Sequence, residues 1–558
     1  MIPSSHKMIA TIASSMMILS CGAPTIVSTP IENIDAIPLK NIDLTRDQLK
    51  TWGEADLVSD TIPGMSINKA YEEIIKNRKG KTVIVGVIDS GIDIEHEDLK
   101  NVIWTNPKEI KGNGKDDDNN GYIDDINGWN FLGDSSDENL EHTRIVKMFK
   151  SKYEGKTLAS IPESDRAEYQ KYIEAKAGFE KDYKEKLVQK TRYEEIYQQT
   201  EASHKTISEA LGKENYTKEE LLNVDATTPE MQQHVAFMSH TFELIGSGDT
   251  INEFITNIKD GAKYYADQLK YSLNLEFDAR NIVGDNVDDL TDTQYGNNNV
   301  MGPDPEKGDI THGTHVAGTI AAERNNGKGM NGVANNVKIM SLRAVPNGDE
   351  YDKDIALAIR YAVDNGAKII NTSFGKAYST HPEWVRDAIK YAASKDVLIV
   401  NAAGNSKKDL DNDVIYPNDQ VKTGAEISDN FITIGALSYA YGTDMIAVFS
   451  NYGQTNVDVF APGVKIWSTV PNNSYKFLQG TSMATPGVAG IAAMIRSYYP
   501  KLKAPQVKKI LMDSGLPTKT PVVVGGDPTN VKSFSELSKS GKIANLYNAL
   551  IMADKLSK

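Results

Sequence analysis

The stretch TVIVGVIDSGID at residues 82–93 decides the fold. Its first seven residues form a continuous, mostly β-branched apolar run, which is typical of a strand buried on both faces. Asp89 follows that run directly. Open α/β sheets place their sites at the carboxyl ends of strands, so we expect Asp89 at a functional edge. An aspartate after a strand is also a common turn former, and this position alone does not decide between the two roles.

Four further apolar runs follow, and amphipathic helical patterns lie between them. The runs occupy residues 337–345, 368–372, 397–402 and 431–437. Apolar residues recur at helical spacing in residues 352–365 and 384–395. Strands that alternate with helices of this length predict an α/β fold, in which a parallel sheet is covered by helices on both faces.

Residues 133–279 interrupt this alternation. The segment is charged and poor in proline and glycine, so we predict an all-helical insertion, hereafter the helical insertion. Large apolar residues recur in it at helical spacing, which favours packing against a neighbouring helix over a ligand site: Tyr169, Tyr172, Phe179, Tyr183, Leu187 and Tyr197. The sheet domain is then split into residues 66–132 and 280–558.

The N-terminal residues are expected to lie outside the fold. Residues 1–20 are predicted to form a signal peptide with a short apolar stretch. Cys21, the single cysteine of the chain, follows a small residue. This pattern resembles a bacterial lipobox, which implies lipidation of Cys21 and anchoring to a membrane of the bacterial cell envelope, on either face. The alternative is a free thiol in a discarded signal peptide. Residues 21–65 are interpreted as a lipid-anchored tether and docking segment, followed by a helix at 66–76.

Composition excludes several classes of protein. The chain has 558 residues and a formal net charge of −15, and so acidic a surface repels phosphate backbones. Nucleic acid is therefore not an expected partner. One cysteine cannot form an intrachain disulfide.

The stretch THGTHVAGT at residues 311–319 contains two histidines three positions apart. His312 stands at the start of a helix of small residues, where its side chain can point outward. His312 and His315 on one helical face are also a possible zinc pair. Against zinc, no glutamate completes a metalloprotease pattern and no cysteine ligand exists, so His315 is interpreted as a buried structural residue.

The stretch GTSMATP at residues 480–486 places Ser482 at the N-terminus of a predicted helix. The main-chain N–H of Ser482 is unpaired there and can serve as a donor to an anion. The alternative is an ordinary helix N-cap.

Together these three stretches resemble the signatures of the subtilisin-like serine proteases, and their order Asp, His, Ser is that of subtilisin. The resemblance implies a serine endopeptidase that cleaves protein or peptide substrates through an acyl-enzyme. It implies that Asp89 orients His312, that His312 is the general base and acid, and that Ser482 is the nucleophile. The stretch AAGN at residues 402–405 implies that Asn405 is the second oxyanion donor.

The same resemblance extends to substrate binding. The stretch NTSFG at residues 371–375 is similar to the family's strand that pairs with extended substrate backbone. It implies substrate contacts at Ser373, Phe374 and Gly375, with Ala403 and Gly404 on the neighbouring segment.

An acidic loop predicts a calcium site. Its oxygen-bearing residues alternate around a glycine, as in the start of an EF-hand loop, and subtilisin-like proteases commonly use stabilising calcium. The predicted ligand residues are Asp116, Asp118, Asn120, Tyr122, Asp124 and Asp125. The alternative is a solvated acidic turn without metal.

One different function stays open at this point. The chain could be a catalytically inactive, lipid-anchored binding protein, although four separated groups in matching contexts argue against it. The helical insertion enters between Asp89 and His312 and should therefore emerge near the rim of the cleft, as a lid, a substrate-docking arm or a partner site.

Overall fold

A computed structural model describes residues 26, 28–37, 43–245, 249–304, 309–420 and 424–558. The predicted signal peptide and Cys21 lie outside the described residues. The strands are β1 (Val83–Asp89), β2 (Gly128–Asn130), β3 (Val337–Arg343), β4 (Ile369–Thr372), β5 (Leu398–Ala402), β6 (Phe431–Leu437), β7 (Val459–Pro462), β8 (Ile466–Val470), β9 (Ser474–Leu478), β10 (Leu516–Pro517), β11 (Pro521–Val523), β12 (Val531–Ser533) and β13 (Lys542–Ile543).

Helices account for most of the remaining regular structure. They are α1 (Arg46–Thr51), α2 (Leu57–Asp60), α3 (Ile67–Ala70), α4 (Glu141–Tyr153), α5 (Arg166–Leu211), α6 (Lys218–Leu222), α7 (Pro229–Leu244), α8 (Ile251–Asp267), α9 (Arg280–Val283), α10 (Thr311–Ala321), α11 (Asp352–Asp364), α12 (Pro382–Ser394), α13 (Thr481–Tyr498), α14 (Ala504–Asp513) and α15 (Leu546–Leu556). Single turns of π-helix extend α3 at Tyr71–Ile75 and α8 at Gln268–Ser272.

Within the described part of the chain, one sheet has the strand order β10-β13-β7-β6-β5-β4-β1-β3-β2. All neighbours in it are parallel except β10 and β13. β8 pairs with β9, and β11 pairs with β12, as separate antiparallel hairpins. The predicted α/β fold with a parallel sheet is confirmed.

The alternation of side chains along β1 explains why both faces of the sheet are covered. Val85 and Val87 point into a core that includes residues of α10 and α13. Ile88 points into a second core formed with α11 and α12. Burial of both faces accounts for the uninterrupted apolar sequence of this strand.

The helical insertion contains α4 to α8 and packs around two small apolar clusters of its own. Tyr169 and Tyr172 are buried in the first cluster, against α4. The second cluster is centred on Ile207 and Met238. Of the apolar residues predicted to pack against a neighbouring helix, only those near the start of α5 are buried. Tyr183 and Leu187, further along the helix, are 43% and 48% exposed.

The segment interpreted as a tether packs against the sheet domain over most of its described length. Leu49 and Trp52 are 1% exposed, and the Trp52 indole N–H donates to the main-chain oxygen of Val464 at 3.0 Å. Near the start of the segment, the N–H of Ile31 donates to Oδ1 of Asn548 at 2.8 Å. Nδ2 of Asn548 donates back to the oxygen of Ile31 at 3.0 Å. The segment is therefore part of the folded core.

Among the described helices, none combines the length and the apolar composition that crossing a bilayer requires.

Candidate active site

Asp89 and His312 meet at the carboxyl edge of the sheet. β1 ends at Asp89, and α10 begins one residue before His312. Nδ1 of His312 donates a hydrogen bond of 2.7 Å to Oδ1 of Asp89. The Asp89 side chain is 2% exposed, whereas that of His312 is 39% exposed. The carboxylate therefore fixes the ring from the buried side and leaves the other ring nitrogen towards the surface.

The buried carboxylate also sets the protonation behaviour of His312. Desolvation lowers the pKa of the imidazole, but the charge of Asp89 and its hydrogen bond raise it by more. The net result is a pKa above the ordinary value of 6.5. A ring with a raised pKa is a stronger base and suits proton abstraction near neutral pH.

His315 takes the structural role that was predicted for it. It is fully buried, and its Nε2–H donates to the main-chain oxygens of Ile466 at 2.9 Å and Lys476 at 3.2 Å. Burial lowers the pKa of His315 to about 3. Its Nε2 is thus used for the β8–β9 hairpin and is not available to a metal.

Ser482 lies at the start of α13, on the same edge of the sheet. Its Oγ donates to the main-chain oxygen of Ser373 at 3.0 Å, and Oγ of Ser373 donates to the oxygen of Ser482 at 2.9 Å. Within the described residues, no hydrogen bond joins Ser482 to His312. The hydroxyl therefore points at the strand end in this conformation.

Asn405 follows β5 and faces the same helix start. Its Oδ1 accepts hydrogen bonds from the N–H of Thr481 at 2.9 Å and from the Thr481 hydroxyl at 3.0 Å. With Oδ1 occupied, Nδ2 is directed away from Thr481 and is free to donate. Oγ1 of Thr481 also accepts from the N–H of Gly404 at 3.0 Å, which ties the turn to α13.

Gly480 marks the space between the two predicted oxyanion donors. Its φ of +152° is rarely adopted by residues with a side chain. A Cβ on Gly480 would lie 3.4 Å from Nδ2 of Asn405 and 3.6 Å from the N of Ser482. The absence of that carbon keeps open a small space lined by both donors, as a developing oxyanion requires.

Comparison with known proteins gives the family of the chain. A family model for the subtilase family matches residues 80–531, which is most of the chain. The chain belongs to the subtilase family.

Individual subtilases align over part of the chain. A thermophilic serine proteinase of Bacillus sp. (strain AK1) is 45% identical over 33% of this chain and 42% of its own length. A cell wall-associated protease of Bacillus subtilis (strain 168) is 39% identical over 39% of this chain and 23% of its own. Subtilisin DY of Bacillus licheniformis is 38% identical over 36% of this chain and 68% of its own. The chain thus spans less than half the length of the first two relatives.

The predicted substrate strand of this subtilase follows β4 directly. Gly375 is exposed, and neither its N–H nor its oxygen has a partner in the described part of the chain. Phe374 packs partly against the second core, and Ser373 is buried beside Ser482. Ala403 and Gly404 continue the adjacent strand β5. The structure therefore brings all five predicted substrate-binding residues to the edge that holds Ser482.

The predicted calcium ligands separate into two groups. Asp116 and Asp118 come together with Glu109, with one oxygen of each within 4.8 Å of the others. Asp118 also accepts a hydrogen bond from the N–H of Asn120 at 3.2 Å. Three carboxylates at this distance form an oxygen-rich cluster suited to a hard cation.

The other predicted ligands point elsewhere. The Asp124 carboxylate accepts hydrogen bonds from the N–H groups of residues 112, 113 and 114 at 2.8–3.2 Å. Asp125 accepts from the side-chain amides of Asn106 and Asn120 and from the hydroxyl of Tyr361, and burial raises its pKa. The Tyr122 ring packs against Tyr361. Asp124 and Asp125 thus accept hydrogen bonds within the protein and lie outside the carboxylate cluster, and their role as calcium ligands stays a prediction.

Two residues escaped the sequence analysis. Glu109 lies seven positions before the acidic loop, outside any spacing that the loop pattern predicts. Asn451 lies in a different part of the molecule, where its side chain fixes the turn that carries Asn405. Both are recruited by tertiary contacts, so no local motif indicates them.

Proposed function

We propose that this subtilase is an active serine endopeptidase that uses Asp89, His312 and Ser482 as its catalytic triad. The observation that carries the proposal is the hydrogen bond of 2.7 Å between His312 and a buried Asp89, beside the helix start that holds Ser482. It is supported by the family and by the two donors that flank the space at Gly480.

The proposed reaction begins when Ser482 leaves Ser373. Rotation about its Cα–Cβ bond turns the hydroxyl towards Nε2 of His312, which is exposed and takes the proton as Oγ attacks the scissile carbonyl carbon. Asp89 stabilises the resulting imidazolium and keeps the ring in the productive tautomer. Apo enzymes often form the base–nucleophile hydrogen bond only in the substrate complex.

The tetrahedral intermediate carries a negative oxygen. The N–H of Ser482 and Nδ2 of Asn405 donate to it. His312 then gives its proton to the leaving amine, the C–N bond breaks, and the acyl chain stays on Ser482. Water attacks this ester by the same route in reverse. Gly375 holds the substrate backbone as an added strand.

Labelling with a fluorophosphonate probe tests this function. The wild-type enzyme should form a stable adduct, and Ser482→Ala should not. The inactive binding protein predicts no adduct in either chain. A wild-type protein that folds and stays unlabelled would overturn the proposal.

We further propose a structural calcium ion at Glu109, Asp116 and Asp118. Oε2 of Glu109 is buried and has no hydrogen-bond partner in the described residues, and the Asp118 side chain is 3% exposed. Gathering such carboxylates out of water costs several kcal/mol unless a cation compensates them. Nζ of Lys108 lies 3.4 Å from Oδ2 of Asp118 and compensates part of the charge. A bound calcium would supply the rest and fix the acidic loop.

A lipid anchor at Cys21 is proposed from the sequence pattern alone. It would hold the peptidase at a membrane of the bacterial cell envelope, where protein or peptide substrates reach it. Metabolic labelling with a radioactive fatty acid tests it, since Cys21→Ala should take up no label. Label that persists in this variant would contradict the anchor.

A further inference from the structure

Asn451 is buried directly behind the turn that carries Asn405. It is 0% exposed, and it lies in the segment that follows β6. The two segments run side by side, because the N–H of Asn451 donates to the oxygen of Gly404 at 2.9 Å and the N–H of Lys407 donates to the oxygen of Phe449 at 3.1 Å. Main-chain hydrogen bonds therefore hold the turn on both sides of Asn405, at Gly404 and Lys407.

The Asn451 side chain bonds to the turn on both sides of Asn405. Its Nδ2 donates to the oxygen of Ala403 at 2.8 Å. Its Oδ1 accepts from the N–H of Ser406 at 3.0 Å and from the N–H of Lys408 at 2.8 Å. One side chain thus fixes the main chain two positions before and one position after the residue proposed to donate to the oxyanion.

The contact is close enough to restrict the residue before Asn405. Gly404 has a φ of +96°, and a Cβ there would lie 2.7 Å from Nδ2 of Asn451. The amide of Asn451 therefore lies against the Cα of Gly404. Residue 404 therefore has no room for a side chain between the turn and Asn451.

We infer that Asn451 is a positioning residue for the oxyanion donor, acting through Asn405, and this inference rests on the proposed function. Nδ2 of Asn405 stabilises charge only where it meets the developing oxyanion, and small misplacements of such a donor are costly. Asn451 holds the main chain at both flanks of Asn405, while Thr481 holds its side-chain oxygen. Without the side chain of Asn451, the turn can relax, and Nδ2 of Asn405 moves away from the position of the oxyanion.

A double-mutant cycle tests the inference. The variants are Asn451→Ala, Asn405→Ala and both together, assayed for kcat and KM on a chromogenic peptide. Asn405→Ala should lower kcat by about 100- to 1,000-fold. Asn451→Ala should lower kcat by about 10- to 100-fold with KM within twofold. Because Asn451 acts through Asn405, it should cost less than threefold once Asn405 is gone.

Asn430→Ala is the matched control. Asn430 is equally buried, and its Nδ2 donates to the main-chain oxygens of Ile389 and Val397. It directly precedes β6 and therefore lies at the amino ends of the strands, whereas Asn405 lies at their carboxyl ends. It should lower the melting temperature about as much as Asn451→Ala while leaving kcat within twofold.

The outcomes separate the possible failures. Unchanged kcat in Asn451→Ala, or an equal loss with and without Asn405, overturns the inference and leaves the proposed function intact. A loss below tenfold in Asn405→Ala overturns the proposed oxyanion role itself. If Asn451→Ala does not fold, Asn451→Asp enters the same cycle, because it keeps the acceptor for Ser406 and Lys408 and replaces the donor to Ala403 with an oxygen that repels that carbonyl.

Discussion

Nδ1 of His312 and Oδ1 of Asp89 lie 2.7 Å apart although 223 positions separate the two residues. The whole helical insertion lies between them in sequence. The sheet closes that gap, because β1 ends at Asp89 and α10 starts beside the same edge.

This pair predicts the pH dependence of catalysis. The neutral form of His312 is the base, and Asp89 raises its pKa above 6.5. We expect kcat/KM on a peptide substrate to rise with pH and to reach half its plateau above pH 6.5. A midpoint at or below 6.5 would contradict the electrostatic role of Asp89.

Removing the charge of Asp89 should lower the pKa of His312. In Asp89→Asn, desolvation of His312 is no longer outweighed, so the midpoint should fall below that of the wild type. Loss of the correct tautomer should also lower kcat on the order of 10⁴-fold. His315→Asn is the control, and since the pKa of His315 is about 3 it should leave the midpoint unchanged.

The space at Gly480 predicts a loss of activity on adding one carbon. Gly480→Ala places a Cβ beside both oxyanion donors and forces an unfavourable φ, so kcat should fall at least tenfold. Gly212→Ala is the matched control, with a φ of +69° and no atom near its Cβ. Both should be destabilised by about 1–3 kcal/mol, measured by denaturant unfolding. Equal kcat in the two variants would refute the steric account.

The carboxylate cluster predicts stabilisation by calcium. Excess chelator should lower the wild-type melting temperature by about 5 °C, as expected when a saturating ligand is removed. Glu109→Gln should have a low melting temperature that chelator no longer changes. The control is Asp117→Asn, since Asp117 is outside the cluster and its oxygen accepts from Ile110 and Asn113. That variant should respond to chelator like the wild type.

Charge pairs along α8 predict that the helical insertion controls access of large substrates. The pairs join the insertion to α1 and to the β8–β9 hairpin: Glu253 with Arg46, Asp249 with Lys465, and Asp260 with Lys476, at 2.5–3.1 Å. The hairpin in turn accepts hydrogen bonds from His315, three residues from His312. At the other end of α8, Oγ of Ser272 donates to the oxygen of Asn347.

Reversing one pair should loosen this attachment. Partly exposed pairs contribute about 0.2–1 kcal/mol each, so Arg46→Glu should raise cleavage of a folded protein substrate by severalfold. Cleavage of a tetrapeptide should stay within twofold, and 0.5 M salt should act like the variant. Adding Glu253→Arg restores the ion pair but removes the acceptor for the N–H of Thr250, so the rates should return only part of the way to wild type. Equal changes for both substrates would rule out control by size.

The sheet was predictable because its central strands are buried on both faces. β1 and β6 are continuous apolar runs, and such runs leave no ambiguity about their environment. β2 was missed because it has only three residues, and β7 because its short apolar run is bounded by Asp458 and Pro462. Residues 21–65 show no periodicity, so the sequence does not reveal that Leu49 and Trp52 are individually buried against the sheet domain.

The candidate site was predictable only where local sequence carries it. Asp89, His312 and Ser482 each stand in a distinctive stretch. The acidic loop shows the limit of this approach, since spacing does not reveal that the N–H groups of residues 112–114 already occupy Asp124. Glu109 and Asn451 are brought in from other segments, and only the folded chain reveals them.

The contact between Ile31 and Asn548 determines the order in which the molecule can be completed. These two residues are 517 positions apart, and their mutual hydrogen bonds cannot form before all the residues between them have been synthesised. Until then, the segment around Ile31 lacks the surface of α15 on which it packs. Attachment of this early segment therefore waits for the synthesis of α15, and a chain truncated before Asn548 would leave it open to proteolysis.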